Sequence, residues 1–157
     1  MKRQLTTKKS GFTIIEVVLV LAIAALIFLI VFLAVPALQR NQRDTQRRSD
    51  ASRALSQLQQ YASNHNGQYP TDQNGLTSFT GKYLNGNGST FNDPQTGSLY
   101  NFKFTASQST QPTAPGDMFY YTNATCDNGT LAAGNGARSI AVLTYMEASG
   151  DTYCVNN

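Results

Sequence analysis

The sequence predicts an α+β protein: a long N-terminal α-helix, one half suited to a membrane and the other amphipathic, packed on a small antiparallel β-sheet head. Three observations carry this expectation. Residues 17–38 contain no charged or polar side chain over 22 positions. The next segment has no glycine until Gly67 and is rich in Gln, Arg, Ala and Leu. Beyond it lie four short runs rich in aromatic and β-branched residues, separated by turn residues.

The apolar run would span about 33 Å as a helix, enough to cross a hydrocarbon core. A secretory signal peptide would have a shorter apolar core followed by a small-residue cleavage site, whereas here the small residue, Gly11, precedes the run. Lys2, Arg3, Lys8 and Lys9 precede it too and place the N-terminus on the cytoplasmic side, although five arginines follow the run. Glu16 stands at the edge of this segment, where an isolated carboxylate is costly and marks function.

After Pro36, which interrupts the helical hydrogen-bond ladder and should bend the helix, the pattern continues as helix to about residue 64. Leu55, Leu58, Tyr61 and Ala62 fall at i, i+3, i+6 and i+7, a stripe for a sheet to cover. The segment before them, with Arg40, Arg43, Arg47, Arg48 and Arg53, reads as polar all round and is expected to face solvent, lipid headgroups or neighbouring subunits rather than a nucleic acid. The segment 66–70, Asn-Gly-Gln-Tyr-Pro, supplies a glycine C-cap and a proline that forbids continuation.

Residues 76–97 read as loop, with Asn-Gly, Gly-Asn and Asp-Pro turn signals. Strands are expected at 98–106, 117–123, 138–146 and 151–156, forming an antiparallel meander with one face on the helix and one facing out. The head is mildly acidic, with three basic and six acidic residues from Ala54 onward, and rich in Gly, Asn, Ser, Thr and Tyr, which suits an exported domain. Outside the cell Cys126 and Cys154 would form a disulfide, closing a loop of about 27 residues and contributing roughly 3 kcal/mol; two free thiols are the alternative.

Little in the chain suggests catalysis. His65, the single histidine, sits at the helix end and is expected to cap it or face solvent. The acids Asp93, Asp117, Asp127 and Asp151 lack EF-hand spacing, and no metal or other cofactor is expected. Sequons at Asn87, Asn123 and Asn128 are common by chance in so Asn-rich a head.

The stretch 8–16, "KKSGFTIIE", resembles the class III signal of type IV prepilins and pseudopilins. The resemblance implies removal of the leader 1–11 by a prepilin peptidase cutting between Gly11 and Phe12, N-methylation of Phe12, and Glu16 as the fifth residue of the product. It implies the pilin fold, with an assembly helix over 12–38, its continuation over 39–66 and a β-rich head over 67–157 ending in a disulfide-bounded region. In such a family Glu16 would pair with the Phe12 amine of a neighbouring copy, neutralising two costly charges and setting axial register. Relative to the family, the apolar span lacks a central glycine and Pro36 lies further along than usual.

The implied protein is a structural subunit, not an enzyme. It is held in the cytoplasmic membrane with its head outside until it joins an extracellular filament for adhesion, motility or DNA uptake. Its partners would be copies of itself, the processing peptidase, the inner-membrane assembly machinery and lipid. A minor pilin or pseudopilin of a secretion or competence system is the first alternative, and a monomeric membrane-anchored binding domain is the second.

Overall fold

A computed structural model describes residues 11–86 and 90–157. The sequon residue Asn87 and leader residues 1–10 lie outside the described residues. Helix α1 spans Ile14–Asn64 and is followed by α2 (Gln73–Phe79), a π-helical turn (Thr80–Leu84) and strands β1 (Asn101–Thr105), β2 (Asp117–Thr122), β3 (Ala124–Asp127), β4 (Thr130–Ala133), β5 (Ile140–Tyr145) and β6 (Thr152–Asn156). The α+β fold class is as expected. The chain divides into two compact units, the first ending at Leu38 and the second covering Gln39–Asn157.

In the first unit the helix is apolar and its large side chains are exposed. So much uncovered apolar surface is not stable in water and calls for lipid or other chains. Helix α1 runs through Pro36 without ending there.

The second unit is built around the C-terminal part of α1. Ala51, Ala54, Leu55, Leu58 and Ala62 are buried; Leu55, Leu58 and Ala62 belong to the stripe foreseen from periodicity, whose fourth member, Tyr61, is half-buried against the same cluster. After Asn64 the chain turns through Asn66 and Gly67, both with positive φ (56° and 79°), and the Gly67 amide donates to the Ala62 carbonyl at 2.7 Å. That bond and the left-handed residues end the helix as the sequence anticipates.

The expected loop over 76–97 is helical at its start. Asp72 takes an extended backbone and its carboxylate accepts from the Gly75 amide at 2.7 Å, a helix N-cap. The Gln73 side chain then occupies the free edge of β1: its Nε2 donates to the Phe102 carbonyl at 3.1 Å, and its Oε1 accepts from the Phe104 amide at 2.8 Å. One glutamine thus blunts the edge as a neighbouring strand would.

The main sheet has the order β1-β2-β5-β6. It departs from the expected meander in its first pair, because β1 and β2 are parallel, with Phe102 beside Met118 and Phe104 beside Tyr120. Parallel neighbours need a crossover. Residues 106–116 supply it, tied down by the Tyr121 hydroxyl donating to the Thr110 carbonyl.

The sheet also departs from the one-sided burial expected. Phe102, Met118, Tyr120, Ile140 and Val142 pack with α1 residues in one cluster, whereas Phe119, Tyr121, Ala141, Leu143 and Cys154 form a second cluster with Ala124, Cys126 and Leu131. The hairpin β3–β4 covers this second face, and the Cys126–Cys154 disulfide bonds it to β6. Strands buried on both sides read as continuous apolar runs, which is how "MFYY" and "IAVL" do read.

A bond closing 28 residues of separation should stabilise by about 3.5 kcal/mol through the unfolded chain. Replacing both Cys126 and Cys154 with Ser should lower the denaturant midpoint of the head by a corresponding amount. It should also increase amide exchange first in β3 and β4, measured by hydrogen exchange under non-reducing conditions.

Candidate assembly site and ion-pair network

The helix begins with a reciprocal cap. Glu16 Oε2 accepts from the Thr13 amide and from the Thr13 hydroxyl, both at 2.8 Å, and the Glu16 amide donates to Thr13 Oγ1 at 3.3 Å. This is the capping-box pattern of Thr or Ser followed three residues later by Glu, which satisfies amides that the first helical turn leaves without partners. Thr13 escaped the sequence reading although the spacing "TIIE" carries that signal. The carboxylate is not consumed: Oε1 has no hydrogen-bond partner among the described residues. Gly11 and Phe12 are exposed just ahead of the cap, Phe12 at 90 %.

The arginine segment is polar all round as expected, but against expectation one side of it faces inward. Asp44, Arg47 and Asp50 are buried and extend the apolar stripe of α1 at helical spacing in charged residues. Arg47 has no exposed surface. Its Nε donates to Asp93 Oδ2 at 2.7 Å, Nη1 to Asp44 Oδ1 at 2.9 Å and Nη2 to Gln95 Oε1 at 3.1 Å. Asp93, itself fully buried, also accepts from the Gln95 and Thr96 amides at 3.0 Å each.

The other side of the network grips the turn between β5 and β6. Asp44 accepts from the amides of Glu147 and Ala148 at 2.8 Å each. Arg43 clamps Glu147 through two parallel bonds of 2.8 and 2.7 Å, the bidentate geometry that makes guanidinium pairs strong.

The remaining arginines are occupied as well. Arg40 lies 3.7 Å from Glu147, Arg48 stacks over Tyr153, and Arg53 sits over Phe91 while donating to the Leu84 carbonyl. All five therefore have partners within the chain, and a phosphate backbone would have to displace them.

Electrostatics follow from this packing. Burial alone would raise Asp93, but the Arg47 guanidinium and the two loop amides outweigh it and hold the carboxyl below its ordinary value. Bonds from Arg43 hold Glu147 below its ordinary value despite some burial. Asp50 goes the other way: burial raises it even though it accepts from the Tyr100 hydroxyl at 2.9 Å and faces Arg53.

The acids considered as metal ligands are dispersed. Asp93 is committed to Arg47, Asp117 accepts from Asn101, and Asp127, at the end of β3, and Asp151, in the bend before β6, are exposed. No group of three ligating side chains occurs among the described residues. His65 stacks on Tyr61 at 3.9 Å with its Nδ1 2.8 Å from the Tyr61 carbonyl, closing the last turn of α1.

The N-terminal region matches the prokaryotic N-terminal methylation motif over residues 6–32. No curated protein and no solved structure matches the chain.

Removing one partner of a buried pair leaves an uncompensated charge, so Arg47→Met should destabilise the head by about 3–5 kcal/mol in urea unfolding. Adding Asp93→Asn should recover part of this, because Asn removes the orphan charge while still accepting from the Gln95 and Thr96 amides.

A pH dependence follows from the lowered carboxyls. Their stabilisation is fully present above about pH 5 and is lost as pH falls through the depressed folded values, while raised Asp50 contributes in the opposite sense. Unfolding midpoints should therefore decline on acidification below about pH 5, and Glu147→Gln should make that decline shallower.

Proposed function

We propose, from the premise that a chain bearing the class III signal of type IV pilins is a pilin or pseudopilin-like protein, that this one is a structural filament subunit. A prepilin peptidase cuts it between Gly11 and Phe12, and Phe12 is N-methylated. The product is held in the cytoplasmic membrane by the assembly helix over 12–38, with residues 39–157 outside, until copies polymerise into a surface pilus. The abundant major subunit is the favoured form of this reading.

The observation that carries the proposal is the methylation motif over residues 6–32, with Glu16 five positions beyond Gly11. The capping geometry fits the same role. Cleavage would give Phe12 a charged amine without touching the Thr13 amide, so the cap survives processing. Glu16 Oε2 stays with Thr13 while Oε1 receives the Phe12 amine of another copy. The pair removes the penalty of two charges in an apolar array and sets the axial offset between copies.

N-terminal mass spectrometry tests this on protein sheared from cells and on the membrane fraction. The expected sheared species starts at methylated Phe12 and disappears from that fraction in Glu16→Ala, whose processed chain stays in the membrane. Finding only membrane-bound chain starting at Met1, indifferent to Glu16→Ala, would leave a monomeric anchored domain.

A further inference from the structure

The peptide bond between Gly11 and Phe12 lies directly ahead of α1, whose first residue is Ile14. Gly11, Phe12 and Thr13 are exposed and outside the helix. The segment a leader peptidase would cut and a long helix therefore abut, and something must keep the second from running into the first.

Thr13 stops the helix. Its carbonyl accepts from the Val17 amide at 3.3 Å, the bond that opens the helical ladder, so Thr13 holds the N-cap position. Its Oγ1 accepts from the Glu16 amide at 3.3 Å. In a helix that began earlier, that amide would bond to the carbonyl four residues back, which is Phe12's, and the Ile15 amide would bond to Gly11's. Neither bond occurs among the described residues. The Thr13 hydroxyl and the Phe12 carbonyl thus compete for one amide, and the outcome decides whether the Gly11 carbonyl stays free or is wound into a turn.

The chain beyond Thr13 pushes toward helix. Residues 17–38 are apolar, and next to hydrocarbon an amide without an acceptor is costly. First-turn amides deprived of a side-chain acceptor turn to the nearest upstream carbonyls, those of Phe12 and Gly11. Hydrolysis needs the unwound form. Water adds to the Gly11 carbonyl carbon, the bond to the Phe12 nitrogen breaks, and that nitrogen takes up a proton as it leaves, giving a Gly11 carboxylate and the Phe12 amine. Exposed, irregular segments are where proteolysis concentrates. The surroundings of Gly11 are open, since a side chain placed there would meet no atom within 4 Å.

We propose that Thr13 is a positioning residue for leader removal: by capping α1 it keeps the Gly11–Phe12 peptide unwound for the peptidase. The inference rests on the subunit reading and concerns a step before assembly, separate from the pairing of Glu16. Glu16→Ala keeps both the residue-16 amide and Thr13 Oγ1, so its leader is still removed.

The test is cleavage of the full-length protein in detergent by a prepilin peptidase, read as kcat/KM with the product identified by N-terminal mass spectrometry. Asn and Ser cap helices at least as well as Thr, and Ala and Val cap poorly. Thr13→Ser and Thr13→Asn should therefore be cut within about twofold of the unaltered rate, and Thr13→Ala and Thr13→Val at least about threefold more slowly. Asn has neither the hydroxyl nor the methyl of Thr, so its rescue separates capping from recognition of the Thr side chain by the peptidase. Exchange of the Ile15 amide in the uncut chain should slow in Thr13→Val, as that amide acquires the Gly11 carbonyl. Equal or faster cleavage of Thr13→Val, a loss in Thr13→Asn as large as in Thr13→Val, or unchanged Ile15 exchange would each overturn the proposal. Failure of the unaltered chain to be cut between Gly11 and Phe12 would overturn the subunit reading and this inference with it, whereas the other outcomes leave that reading standing.

Discussion

The guanidinium of Arg47 constrains everything around it. A charge with no exposed surface is tolerated only where its donors are met, and Arg47 has its donors met by Asp93, Asp44 and Gln95. Those partners come from two stretches of chain, so the face of α1 that carries Arg47 must point toward the loop around Asp93. Through Asp44 and Arg43 the same helix face is tied to the β5–β6 turn. Apolar contacts of the Leu55 and Leu58 stripe would by themselves accept neighbouring rotations of the helix at modest cost, whereas the ion pairs accept one. The charged stripe acts as a register device at the end of an apolar one.

The opposite end of the head solves a different problem. A sheet with β2 and β5 at its centre has apolar side chains on both faces, yet α1 can cover only one. The chain covers the other with its own hairpin, which is too small to be stable alone. A covalent tie to β6 offsets this, because the hairpin then sits on the sheet without relying on its own contacts to stay there. At the outer edge, Gln73 does with two side-chain bonds what a further strand would have done. Neither device is a catalytic arrangement, and both protect sheet surface that would otherwise seek another chain.

What the sequence disclosed tracks the distance over which each feature is encoded. The end of α1 was legible because Asn66, Gly67 and Pro70 act locally, and the helical stripe at Leu55, Leu58 and Ala62 was legible because periodicity is local too. The β3–β4 hairpin was equally local, with "DNGT" presenting Asn128 and Gly129 in left-handed backbone, and the two-sided burial it serves was written in "MFYY" and "IAVL". Those signals were available and went unread, as did the Asp72 cap that starts α2 and the Thr13 spacing. The burial of Arg47 was not available. Its decisive partner is 46 residues away, and nothing in a run of arginines tells a solvated face from one matched to distant acids. The parallel pairing of β1 with β2 is likewise a matter of topology, since either direction would satisfy the alternation in β1.

Glu16 repays the same physical treatment, with one oxygen tied and one open. A flexible carboxylate that pairs with an amine on another chain loses rotamer freedom as it does so, and that loss subtracts from the affinity of assembly. Thr13 imposes this restriction in advance, because two bonds to Oε2 already fix the plane of the group. The cap also places the carboxylate at the end of the helix where unsatisfied amides favour negative charge, which lowers the cost of keeping it ionised away from water. In the proposed filament the incoming amine then meets an acceptor already charged and already aimed. Threonine at position 13 is on this account part of the assembly site, acting through the orientation of Glu16 without touching the neighbouring copy itself.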